Sequence, residues 1–259
     1  MARTIISLFF ALLYLQSIAQ ENSTLIFTDR PNASDATGLI SHGDLQAEIG
    51  YFMENDVSNN QIFRNSTMPN VSIKYGLLNW LEIRFLSTIM TQAFDDGTQE
   101  TKTFGITPIT FSPKFKIMDR EGFFSKLSAT TSFTFPNVGS PSFQNKKLNP
   151  GVRLLMENSI NKSITWTHNF GSDWDDNSDA NWIYTSSFSF ALTDKIGAFT
   201  ELYGKYNTTN NSYYWDGGLT YLLKNNLCAD VMVGAGLHPI AYDYFLSVGF
   251  AWKTNLKND

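Results

Sequence analysis

The chain has 259 residues, 17% of them charged and 15% aromatic, with a formal net charge of −5 and a mean hydropathy of −0.19. That balance excludes a disordered chain and a helical membrane protein, and the lack of any lysine/arginine cluster argues against a nucleic-acid partner. Cys228 is the single cysteine, so no internal disulfide and no cysteine-based metal site is possible, and no cofactor is implied.

The N-terminus holds the one continuous apolar run. Arg3 precedes Ile5 to Leu15, and Ser17-Ile18-Ala19 puts small residues at the spacing a signal peptidase reads. This predicts a secretory signal peptide over residues 1–19, because a membrane anchor needs about 20 apolar residues. Removing Arg3 from the 19 Lys and Arg leaves 18 against 24 Asp and Glu, a mature charge of −6. Residues 20–43 are polar and suggest no strand. Asp29 and Arg30 within them either fold into the interior as a plug held by charge pairs, or belong to a periplasmic extension.

From Asp44 to the C-terminus the chain reads as twelve segments, many near ten residues long, that alternate apolar and polar side chains. They fall near 44–53, 69–77, 80–90, 102–117, 123–135, 150–157, 162–170, 181–192, 195–206, 212–223, 227–237 and 242–253. Successive side chains of a strand point to opposite faces, so each segment has one apolar and one polar face. The connections differ in length as well. Leu78-Asn79 and Thr193-Asp194 are tight turns, whereas Asn55 to Met68 and Gly171 to Ala180 read as long polar loops. In the fourth segment the apolar parity slips between Ile106 and Ile109, and Pro108 at the slip suggests a β-bulge.

The parity of the charges decides the architecture. One face carries Leu45, Ala47, Ile49 and Tyr51, then Val71 and Ile73, then Leu154 and Met156, then Val231 and Val233, with no charge among them. The other carries Glu48, Lys74, Glu82, Arg84, Lys126, Arg153, Glu157, Glu201, Asp216 and Asp230. A soluble sandwich would bury its apolar face and use shorter strands. Ten residues at roughly 3.3 Å each, tilted by about 45°, instead cover an apolar band about 25 Å tall. Aromatic residues near the strand ends, Trp182, Tyr206, Tyr213 and Tyr242 at one rim and Tyr221 and Trp252 at the other, suit membrane interfaces. The predicted fold is all-β: a transmembrane antiparallel up-and-down β-barrel of about 12 strands over residues 44–259, facing outer-membrane lipid and inserted by the barrel-assembly machinery.

These segments also resemble a known family, the outer-membrane transporters grouped under the meta-pathway of phenol degradation. Thr28-Asp29-Arg30-Pro31 resembles its opening motif and Asp44 to Tyr51 its first strand. Lys74-Tyr75-Gly76-Leu77 through Leu81-Glu82-Ile83-Arg84 resembles its first hairpin, and Thr193 to Gly204 with Asp216 to Leu223 its C-terminal half. Where the family continues its opening motif with Asp and a Thr-Glu-Ser step, this chain has Asn32 and Ala36-Thr37-Gly38. The resemblance implies a transporter barrel in the outer membrane of a Gram-negative bacterium, of the type found in Bacteroidetes.

The polar parity then defines candidate lumen residues. Lys114, Lys116, Lys126 and Arg153 fall on three consecutive strands as a basic arc. Phe199, Tyr203, Tyr214 and Phe245, with Phe52 across the closure, form an aromatic arc. Such walls suit a small aromatic or anionic solute, whereas pairing of the arc with Glu48, Glu82 and Glu157 would make it simple filling. A non-transport barrel whose long loops bind partners is the competing expectation. Enzymatic readings fare worse, since His42, His168 and His238 have no triad spacing. The acidic run Asp173 to Asp179 starts like a calcium loop but lacks the glycine at its sixth position and has Tyr184 where a glutamate is required.

Overall fold

In the computed structural model, which describes residues 26, 28–58, 61–208, 211–237 and 243–256, the chain is a closed antiparallel barrel. Residues 1–19, where the sequence predicts a signal peptide, and His238 and Tyr242 lie outside the described residues. Thirteen strands run in chain order: β1 Asp44–Ser58, β2 Gln61–Leu78, β3 Leu81–Asp95, β4 Glu100–Ile106, β5 Thr110–Asp119, β6 Phe124–Thr134, β7 Asn149–Ser159, β8 Ile164–Trp174, β9 Ala180–Ala191, β10 Ile196–Tyr206, β11 Asn211–Lys224, β12 Leu227–Gly236 and β13 Tyr244–Asn255. Chain neighbours pair throughout except β4 and β5, which both pair with β3, and β1 closes the ring on β13, from Asp44 opposite Asn255 to Asn55 opposite Tyr244.

Two of these strands share one place in the wall. β4 pairs with the far half of β3, Ile89 opposite Ile106, and β5 with its near half, Leu81 opposite Phe115. The barrel therefore has twelve staves, and the expected bulge at Pro108 is a full break over residues 107–109. Beyond the break β4 has a free edge. Residues 135–148 cover it: Ser140 N donates to the Ile106 carbonyl at 2.8 Å, and Ile106 N donates to Ser140 Oγ at 2.9 Å. A covered edge is no template for another chain.

The long polar loops need revision. Residues 55–58 and 61–68 are strand, with Glu54 opposite Asn65 and Ser58 opposite Gln61, so the first hairpin simply continues. Residues 171–174 likewise belong to β8. Above the apolar band both faces of a hairpin can be polar, so alternation is lost while the backbone ladder persists. Arg64 and the Glu100–Lys102 ion pair, at 2.8 Å, sit on outward positions in such extensions.

The outer face within the band is apolar all round, with Ile49, Ile73, Phe85, Val152, Leu202, Leu219, Val231 and Phe250 exposed. A belt of that extent has no soluble explanation and marks a transmembrane barrel. Between β8 and β9 the belt is an aromatic ladder. Trp166 stacks on Phe188 at 5.4 Å, Phe170 on Trp182 at 5.5 Å, and His168 accepts or donates a 2.9 Å bond with the Tyr184 hydroxyl. Cross-strand pairs of this kind stabilise a sheet where water cannot help.

Candidate functional site

The side chains that belong together by chemistry lie inside the ring. Lys74 on β2, Arg84 on β3 and Lys114 on β5 are adjacent in register, with Lys74 opposite Arg84 and Glu82 opposite Lys114. All three are nearly inaccessible, Lys114 to within 1%. Charged side chains at such depth need partners. Part of the answer comes from the wall, where Glu48 meets Lys74 Nζ at 2.6 Å. The rest comes from residues 28–43.

That segment touches strands all round the ring, mostly in the half nearer the short turns, and so runs through the interior. The Asp29 carboxylate accepts from Lys74 Nζ at 2.5 Å, Arg84 Nη1 at 3.0 Å and Lys114 Nζ at 3.1 Å. Its neighbour reaches the other way. The Arg30 guanidinium donates to Asp230 on β12 at 3.2 and 3.3 Å and to Ser247 on β13 at 2.7 Å. Two consecutive residues of opposite charge thus bridge two parts of the wall.

The segment continues round the wall. Ala33 N and Ser34 N donate to the Glu201 carboxylate on β10 at 2.7 and 2.9 Å, and the Ser34 hydroxyl also donates to it. Asn169 on β8 reads the backbone of Asp35 in both directions, accepting from its N–H at 2.6 Å and donating to its carbonyl at 3.1 Å. Thr37 donates to Glu157 on β7 at 2.7 Å, and Ile40 N donates to Glu82 at 2.9 Å. Buried backbone groups outside a ladder need such partners.

Room for the segment is set by glycine. Gly50 on β1 and Gly249 on β13 face each other across the closing seam. A Cβ added at Gly249 would lie 2.5 Å from Arg30 Nε, and one at Gly50 would also run into the guanidinium. Glycine inside a strand marks the close approach of another group. Neither position stood out in the sequence, although two glycines on the polar parity of otherwise regular strands were the available signal.

The four residues of the expected basic arc are all brought to the interior face, each with a carboxylate nearby. Lys114 pairs with Asp29, Lys126 with Glu157 at 2.7 Å, Arg153 with Asp173 at 3.2 Å, and Lys116, near the rim, with Asp119 at 3.6 Å. The aromatic residues do form one group. Tyr203 stacks on Tyr214 at 4.7 Å, and Phe245 lies 6.1 Å from Tyr214 and 6.1 Å from Phe52, with Phe199 and Met232 packed in. Leu155 and Ile183, also on the interior parity and buried, add apolar surface that the run Leu154-Leu155-Met156 had left ambiguous.

Glu201 stands directly opposite Asp216 on β11, and neither Asp216 oxygen has a donor. A cavity of about 460 Å³ lies between the N-terminal segment and the wall, lined among others by Thr28, Arg30, Asp35, Lys126, Glu157 and Phe199. Nearer the long connections a second space of about 220 Å³ is lined by Ser132, Thr134, Asn149, Asp173 and Asn181. In the acidic run, Asp175 accepts from Asn177 N and Asp179 N at 2.8 and 3.0 Å, and Ser178, where a calcium loop has glycine, adopts a φ of 68°. Asp176 accepts from Lys146 N at 2.8 Å and Lys147 N at 3.3 Å, tying residues 135–148 to this loop. The Lys146 N–H holds the Asp176 carboxyl below the usual carboxylate range, opposed in part by desolvation and helped by the Lys147 N–H and Asn149.

The family model described as "Putative MetA-pathway of phenol degradation" matches residues 28–254, so the match begins at the N-terminal segment and takes in every stave. The chain belongs to that family. No curated protein matches significantly. Among solved structures, an outer membrane channel from Pseudomonas putida F1 superposes with a TM-score of 0.69 at 10% identity, covering 86% of this chain and 99% of that one. The KdgM porin gives 0.56 at 12% identity, covering 80% and 98%. The transport unit of the autotransporter AIDA-I from Escherichia coli gives 0.55 at 8%, covering 82% and 90%. At such identities the likeness is one of fold.

Proposed function

We propose that the protein is an outer-membrane channel of a Gram-negative bacterium that passes small solutes, with aromatic and anionic molecules the best suited to its walls. Its partners there would be outer-membrane lipid along the apolar belt and the barrel-assembly machinery during insertion. The observation that carries this reading is the makeup of the lumen. A barrel with a purely structural task could be filled by its own wall side chains, as small barrels are. Here the interior is filled by a separate segment, tied down by ion pairs and hydrogen bonds, beside an open cavity and an aromatic group.

In this reading the N-terminal segment sets the bore, and solute moves through the space beside it. Family membership and the channels and porins among the structural relatives support the same assignment. Liposome swelling and single-channel recording of the refolded protein test it. Discrete conductance together with benzoate-driven swelling is expected. A well-folded, heat-modifiable barrel that shows neither, even with Asp29 and Arg30 neutralised, would favour the non-transport barrel.

A further inference from the structure

We propose that Lys74, Arg84 and Lys114 form a binding site for the carboxylate of a small monoanionic solute, and that Asp29 occupies this site as an intramolecular stand-in. The Asp29 carboxylate shows what the site recognises. One oxygen receives Lys74 Nζ and Arg84 Nη1 at 2.5 and 3.0 Å, and the other receives Lys114 Nζ at 3.1 Å together with the segment's own Ala36 N–H at 2.9 Å. Both oxygens of one planar anion are thus held, which is the pattern that charge-assisted donors make around a carboxylate. The three cations come from three neighbouring staves, whose register sets them side by side.

Charge balance agrees. The wall carboxylates within reach are Glu48, 2.6 Å from Lys74, and Glu82, 3.9 Å from Arg84. Three cations against these two leave an excess of one positive charge, the complement of a monoanion. The negative charge that meets it is Asp29 of the N-terminal segment, which reaches all three cations, while Asp35, 3.5 Å from Arg84, is shared with a fourth cation, Arg153, at 3.9 Å. Wall groups pre-organise Arg84, while Lys114 Nζ is also held by the segment's backbone, donating to the Ala36 carbonyl at 2.9 Å and the Gly38 carbonyl at 3.4 Å. Arg84 is oriented by the Ser112 hydroxyl at 3.0 Å and by Thr130, so its guanidinium does not depend on Asp29 for its position. A solute carboxylate would compete with Asp29, whose tethering gives it a high effective concentration. Free carboxylate therefore binds weakly while Asp29 is in place and more tightly once it is removed.

The inference rests on the channel reading for its biological meaning, yet its test does not need conduction. The full chain carrying Asp29→Ala is refolded in detergent and its heat-modifiability midpoint is followed on titration with sodium benzoate. Sodium chloride at equal ionic strength and benzyl alcohol serve as controls. At benzoate roughly tenfold above its dissociation constant the midpoint should rise by about 3–6 °C over chloride, while the parent protein shifts little. Benzyl alcohol should have no effect, and adding Lys114→Met to the variant should abolish the rise. If Asp29→Ala folds poorly, its refolding yield with and without benzoate gives the same readout, and Asp29→Asn, which keeps the side-chain shape, is titrated alongside. No benzoate effect beyond chloride, or an equal effect with Lys114→Met, overturns the inference. A variant that binds benzoate in a barrel that never conducts would refute the channel reading alone, and one that conducts without benzoate rescue would refute this site alone.

Discussion

The two sides of the lumen are built from opposite materials. The β2–β3–β5 side presents Lys74, Arg84 and Lys114, whereas the β10–β12 side presents Glu201, Asp216 and Asp230. The N-terminal segment answers each in kind: Asp29 turns to the cationic side, and Arg30 and the N–H groups of Ala33 and Ser34 turn to the acidic one. This contrast in charge explains why the segment lies where it does. A stretch with one sign of charge could satisfy only one side, while an Asp-Arg pair followed by free N–H groups satisfies both.

Breaking the cationic side should do the most damage. Arg84 contacts Asp29, Asp35, Ser112 and Thr130, so Arg84→Met strands buried carboxylates and removes several bonds at once. A loss of about 3–5 kcal/mol is expected, read as a lower heat-modifiability midpoint and a lower denaturant midpoint in detergent. The acidic side can be tested without touching a charge. Gly249→Val places side-chain atoms where Arg30 sits, and should cost about 1–3 kcal/mol by overpacking while reproducing the conductance change of Arg30→Ala. Equal conductance to the parent would show that the seam slot does not govern the segment.

Within the acidic side, Glu201 and Asp216 are like groups directly opposite one another, an arrangement that costs about 0.2–1 kcal/mol in exposed sheets. Asp216→Asn should be neutral or stabilising by about that amount, because an amide can donate to Glu201, and the denaturant midpoint reads it. The smallest effect belongs to the loops. Asp176 is held below its ordinary range by the Lys146 N–H, so the clasp it makes is fully present above about pH 4, the unfolded carboxyl value, and is lost as pH falls through the lower folded value. Protease cleavage within residues 135–148 should rise only below about pH 4 in the parent, and at neutral pH as well in Asp176→Ala.

Much of the wall was legible because a strand has a period of two: the parity that put Glu48, Lys74, Arg84 and Glu201 on one face is the parity of the lumen. Strand ends were less legible. Alternation between apolar and polar is enforced by lipid, and above the lipid residues 55–58 and 61–68 keep their ladder without it. The N-terminal segment was the least legible part. Thr28 to Gly43 has no period, and its position is set by tertiary contacts with nearly every stave, so Asp29 and Arg30 could be named as charged candidates without their partners. The glycines at 50 and 249 carry the missing information, but only once the register across the closing seam is known.

The central claim is that the charge-clamped N-terminal segment sets the bore of the barrel. Its most direct test is the unitary conductance in planar bilayers of Asp29→Asn/Arg30→Gln, which keeps both side-chain shapes and removes both clamps, against the parent chain. A conductance several-fold larger, or frequent steps to a larger level, is the result expected. Conductance indistinguishable from the parent, with the double variant still heat-modifiable, would contradict it.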